Sequence, residues 1–83
     1  MSNVVVEVMS KEHCPLCDDV LIDLKLLRDE LAFDVNVIDI YQDEELLEKY
    51  QLMIPVILIE GKEIGFGKIA REDLKSAIKV AQS

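Results

Sequence analysis

Ser10-Lys11-Glu12-His13-Cys14-Pro15-Leu16-Cys17 decides the fold of this chain. The stretch joins an apolar run, Val4 to Met9, to a long amphipathic segment, and it holds both cysteines. Val4–Met9 is interrupted only by Glu7, the pattern of a strand buried on both faces. Pro15 suits the first turn of a helix, where its missing N–H costs nothing. Cys17, Val20, Leu24, Leu27 and Leu31 are spaced three, four, three and four apart, so they share one helical face and predict a helix reaching about Leu31. Cys17 heads that buried stripe, whereas Cys14 precedes the helix proper and is expected to be the more accessible thiol. Two thiols at this spacing close a short disulfide if the backbone turns into a helix between them, and a helix N-terminus favours a thiolate.

Working outward, Phe33–Ile40 reads as a second strand, with Val35, Val37, Ile38 and Ile40 supplying β-branched bulk. Strand, helix and strand in that order predict a right-handed parallel βαβ unit. Asp43-Glu44-Glu45 places acids in the first turn of a short second helix reaching Tyr50. Pro55 precedes Val56–Ile59, a third strand, and Glu60-Gly61-Lys62 reads as a tight turn into a short fourth, Glu63–Gly65. Leu74, Ala77, Ile78 and Ala81 mark the inner face of a last helix, from about Ala70 to Ala81, with no strong N-cap. Ile22 and Leu26 lie opposite the main stripe of the first helix and are expected to face the last one. Alternation followed by a hairpin implies an α/β fold, a mixed sheet covered by helices.

Eighty-three residues make one small domain, residues 1–83, with a modest core. The chain is 51% hydrophobic and 31% charged, as befits a globular protein. Met1-Ser2-Asn3 lacks the basic and apolar regions of a signal peptide, and no apolar run approaches a membrane span, so the expected location is cytoplasmic. Seventeen acids against nine bases give a formal net charge of −8. Phosphate binding needs clustered Lys and Arg, so nucleic acid is excluded as a partner; an acidic chain favours encounter with basic surfaces. Two cysteines are too few for a disulfide-stapled scaffold and in the cytoplasm point to catalysis or metal binding.

Taken together, these features resemble the glutaredoxin-like members of the thioredoxin-fold superfamily, over nearly the whole chain. Ser10–Cys17 is similar to the glutaredoxin S-K-x-x-C-P-x-C segment, and Ile54-Pro55 to the Val-Pro step that carries a cis-proline. Gly65-Phe66-Gly67 resembles the Gly-Gly turn after the hairpin. The resemblance implies a thioredoxin-like fold: a four-stranded mixed sheet in the order 2-1-3-4, with the first and third helices on one face and the second on the other. It implies a dithiol exchange in which Cys14 is the nucleophile and Cys17 the resolving thiol. Pro55, if cis, leaves the backbone of Ile54 free to pair with an extended substrate. Leu16, Gly65, Phe66 and Gly67 line the substrate side, with Leu16 where many relatives have Tyr. The helix N-terminus and Lys11 lower the Cys14 pKa modestly, while Glu12, Asp18 and Asp19 oppose them.

Many glutaredoxins follow the Gly turn with Ser or Thr and then Asp, which hold glutathione. Here Lys68-Ile69-Ala70 follows Gly67, which leaves the electron donor open between glutathione and thioredoxin reductase. No bound cofactor is expected; the expected partners are disulfide-containing proteins or small thiols, and the expected state is a monomer without membrane attachment. Two other readings stand beside the enzyme: a redox sensor or adaptor whose cysteines switch an interface, and a metal or iron–sulfur carrier. For a lone zinc site two thiolates fall short of four ligands, and the single histidine, His13, is awkwardly adjacent to Cys14.

Overall fold

The computed structural model describes residues 4–83. Met1-Ser2-Asn3, on which the signal-peptide expectation rests, lies outside the described residues. The chain runs β1 (Val4–Ser10), α1 (Pro15–Leu27), β2 (Phe33–Asp39), a 3₁₀ turn (Ile40–Gln42), α2 (Glu44–Tyr50), β3 (Val56–Ile59), β4 (Lys62–Phe66) and α3 (Arg71–Gln82). The four strands form one mixed sheet in the order β2-β1-β3-β4. β1 pairs in parallel with β2, from Val4–Phe33 to Ser10–Asp39, and antiparallel with β3, from Val6–Ile59 to Met9–Val56.

Side-chain alternation divides the core between the two faces of this sheet. Val4, Val6 and Val8 of β1 point with Ile57 and Ile59 of β3 towards Val20, Leu24 and Leu27 of α1 and Leu74 and Ile78 of α3. Met9, Val56 and Leu58 point the other way, against Ile40 and Tyr50, with Leu46, Leu47 and Ile54 packed around them. α1 and α3 thus share one face, and α2 covers the other.

Several boundaries differ from the sequence expectation, and β1 also takes in Ser10. α1 ends at Leu27 rather than Leu31, because the Asp29 and Glu30 N–H groups bond three residues back, to Leu26 and Leu27, and tighten the chain into turns. Leu31 still packs against the core from that turn. Ile40 leaves β2 to open the 3₁₀ turn, whose Asp39 carboxylate accepts the Tyr41 N–H at 2.9 Å. β4 is longer than Glu63–Gly65, because Glu60 and Gly61 both take positive φ (52° and 79°), the pattern of a two-residue hairpin turn that pairs Ile59 directly with Lys62. One residue, Ile64, is extra in the ladder between Glu63 and Gly65 and forms a bulge. Ala70 precedes α3 without a side-chain cap, in keeping with the missing N-cap in the sequence.

Candidate active site

The two ladders of β1 place the Ser10 end of β1 next to the start of β3, so the cysteine loop and the Ile54-Pro55 step share one end of the sheet. The loop reaches that end through His13, whose φ of 56° is in the left-handed region. Cys14 follows in extended conformation and is the N-cap of α1; its sulfur accepts the Cys17 backbone N–H at 3.2 Å. Pro15 occupies the first turn, as its missing N–H allows. The sulfurs of Cys14 and Cys17 are joined as a disulfide, with their Cα atoms 5.2 Å apart.

Accessibility is where the site departs from expectation. Cys17 is 1% exposed and sits at the head of the core stripe, but Cys14 is itself only 7% exposed. Its sulfur turns inward over the first helical turn to meet Cys17, which leaves Cys14 the less buried of the two but far from open. The neighbouring Leu16 is 40% exposed and supplies the apolar surface beside the pair.

The Ile54–Pro55 peptide is cis. Pro55 is buried, Ile54 packs on the α2 side of the sheet, and the Pro55 carbonyl accepts the Gly67 N–H at 2.8 Å. Gly67 has a φ of 72°, a conformation glycine adopts at little cost. Gly65 leaves room for another side chain: a Cβ there would lie 3.1 Å from Ile69 Cδ1. Phe66, across the ladder from Val56, is 57% exposed.

The residues predicted for the site fall into separate groups. A groove of about 600 Å³ runs from Leu16 along Asp19, Ile22 and Asp23 of α1 to Lys68–Arg71 and Asp73. Its lining includes neither Pro55 nor Gly65–Gly67, so these residues adjoin the groove's Lys68 end in sequence without forming its wall. Lys11 lies elsewhere, with Glu12 and His13 in a shallow depression bounded by Asp39, Tyr41 and Gln42. Ile22 and Leu26, expected to face α3, are 57% and 46% exposed. Val20, Leu24 and Leu27 share the buried cluster with Leu74 and Ile78 of α3, and Ile22 borders the groove beside the start of α3. The groove residues Asp19, Asp23 and Arg71 had no local signal, since they meet only when α3 docks. Arg71 Nε lies 3.9 Å from Asp23 Oδ1.

Residues 5–79 match the family described as Glutaredoxin-like domain (DUF836). The chain belongs to this glutaredoxin-like family. Its fold is that of solved thioredoxin-fold proteins. A Nitrosomonas europaea protein solved by NMR aligns with a TM-score of 0.80 at 24% identity, over 93% of each chain. A mutant thioredoxin from Halobacterium salinarum aligns with a TM-score of 0.76 at 18% identity, over 99% of this chain and 77% of that one. A Staphylococcus aureus protein of unknown function aligns at 0.71 and 20% identity, over 96% and 92%. No curated protein matches the chain in sequence. This member of the glutaredoxin-like family thus combines a thioredoxin-like fold with a CxxC pair at disulfide distance. Among its described residues no helix is long and apolar enough to cross a membrane.

Proposed function

We propose that the protein is a small dithiol thiol–disulfide oxidoreductase that reduces protein or low-molecular-weight disulfides. The closed Cys14–Cys17 pair at the start of α1, at the sheet end that also carries the Ile54-Pro55 step, supports this reading. In the reduced protein the Cys14 thiolate attacks one sulfur of the substrate disulfide. The substrate S–S bond breaks, one substrate sulfur leaves as thiolate, and a mixed disulfide forms with Cys14. Cys17 gives its proton to solvent and attacks the Cys14 sulfur, releasing the second substrate thiolate. Two electrons have then passed from the dithiol to the substrate, and the Cys14–Cys17 disulfide awaits a two-electron donor, glutathione or thioredoxin reductase. Lys11 supports the thiolate from the loop. The β1–β3 ladder stops at Met9–Val56, so Ile54 lies beyond the paired part of β3, which supports a role for its backbone in pairing with an extended substrate. Leu16 and Phe66 offer exposed apolar surface to a substrate, and Gly65 and Gly67 flank Phe66 without side chains.

The direct test is disulfide turnover with glutathione and with thioredoxin reductase in parallel. Cys14→Ser is expected to abolish turnover, and Cys17→Ser to accumulate a mixed disulfide visible by mass spectrometry. Absence of turnover with either donor on protein and small disulfides would sink the reading. The low exposure of Cys14 favours one second reading, a redox sensor whose closed pair alters a partner interface. It predicts stoichiometric oxidation that changes partner binding, without turnover.

A further inference from the structure

The net charge of this protein is concentrated at the end of the sheet that carries the cysteines. Strand directions bring residues 10–19, 39–45, 51–56 and 66–73 to that end. These four segments hold nine acids and three bases, a net charge of −6 out of −8 for the whole chain. The rest of the molecule has eight acids and six bases and is close to balanced. Glu12, Asp18 and Asp19 flank the cysteine pair directly and are all exposed.

The groove beside Leu16 gives this field a place to act. Leu16 and Ile22 present exposed aliphatic surface, with the buried Val20 between them at its floor. Arg71 is paired with Asp23, whereas Asp19 and Asp73 have no ion-pair partner within 4.0 Å among the described residues; Lys68 is the one unpaired cation of the lining. The groove starts at Leu16, between the two cysteines, so a chain lying in it would continue from a cysteine held at Cys14. The carboxylates supply the attraction and the aliphatic floor the contact.

Resting on the oxidoreductase reading, we propose that the substrate is a basic protein segment. Its disulfide is flanked by Lys or Arg and an aliphatic residue, which seat against Asp19 and Asp73 and on Leu16 and Ile22 of the groove. Complementary charge raises the encounter rate, and exposed charges are screened over about 10 Å at 0.1 M salt, so the preference is greatest at low ionic strength. Anionic small disulfides, glutathione disulfide among them, approach against the same field.

The test uses fully reduced protein in single turnover, so no electron donor is needed. Three synthetic peptides share one closed disulfide and differ in the flank: Lys-Leu-Lys, Ser-Leu-Ser or Glu-Leu-Glu. The second-order rate constant is expected to be at least about tenfold higher for the basic than for the acidic peptide at low salt, with the ratio shrinking as salt is raised. Asp19→Asn with Asp73→Asn is expected to narrow that ratio, and Ile22→Ser to slow the basic peptide. Equal rates for the three peptides would overturn the proposal while leaving the oxidoreductase reading intact. So would a charge preference indifferent to the groove variants. No oxidation of Cys14 and Cys17 by any of the three would remove the oxidoreductase reading and this proposal together.

Discussion

The Cys17 backbone N–H donates to the Cys14 sulfur at 3.2 Å, so the residue proposed to attack substrate is also the N-cap of α1. A serine hydroxyl can accept the same N–H, whereas alanine cannot. Cys14→Ser and Cys14→Ala both lack the disulfide, so their difference isolates the cap. Cys14→Ala is expected to be less stable than Cys14→Ser by about 1 kcal/mol in urea denaturation. Equal midpoints and slopes would show that the contact contributes nothing to α1.

Gly67 and Gly65 flank Phe66 but resist substitution for different reasons. At Gly67 a Cβ meets nothing within 4 Å, and the obstacle is its φ of 72°. Gly67→Ala is expected to cost about 1–2 kcal/mol, and Gly67→Asn less, because Asn tolerates the left-handed region better. At Gly65 the obstacle is the tip of Ile69, 3.1 Å from the Cβ. Ile69→Val removes that tip, so a double-mutant cycle of Gly65→Ala with Ile69→Val is expected to show favourable coupling. No coupling is expected between Gly67→Ala and Ile69→Val.

How much of this was legible in the sequence follows from the range of the interactions. The strands, the helix of Pro15, the Asp43 start of α2 and the Glu60-Gly61 turn are encoded by near neighbours, and they stand in the structure within a few residues of expectation. The pairing of Cys14 with Cys17 needs only one helical turn. The groove was not legible, because Asp19 and Arg71 are brought together by the docking of α3. Nor was the burial of Cys14, which depends on where its sulfur turns once the loop through His13 is closed. Nor was the exposure of Ile22, because an apolar residue off the main stripe has no periodicity to say how closely a neighbouring helix covers it.

Tyr50 illustrates another long-range pairing. Its ring is buried among the α2-side residues, yet its hydroxyl reaches across to β4 and donates to Glu63 Oε1 at 2.9 Å. Lys49 Nζ lies 5.0 Å from the centre of the same ring and 3.8 Å from Glu63. Hydrogen bonding to the Tyr50 side chain, then the charge of that side chain, and then the Glu63 carboxylate hold the Lys49 pKa above its ordinary 10.5. Tyr50→Phe is expected to cost about 1 kcal/mol through the lost hydroxyl contact. The same variant is expected to bring the Lys49 titration midpoint, followed by NMR at its Cε, back towards 10.5. The sign is that of a raised cationic group: any stabilisation is complete below pH 10.5 and fades as the pH rises through the higher folded value. Lys49 is exposed, so the readout is the midpoint rather than a change in stability.

Asp43 sets the position of α2 and, through it, the packing around Ile54. Its carboxylate accepts the Glu45 N–H at 2.9 Å and the Leu46 N–H at 3.4 Å, at the start of a helix only seven residues long. Glu44 and Glu45 add negative charge to the same turn, where the helix dipole favours it. So short a helix has little cooperativity of its own and depends on its cap and on the apolar residues beneath it. Asp43→Ala is expected to destabilise the protein by about 1 kcal/mol, and Asp43→Asn to recover most of that loss. Because Leu46 and Leu47 pack in the same cluster as Met53 and Ile54, the loosening is expected to stay on that side of the sheet. Amide exchange should therefore accelerate in α2 and the segment before Pro55 more than in α3, which packs against the opposite face. Uniform acceleration in α2 and α3 would mean that the cap acts only through global unfolding.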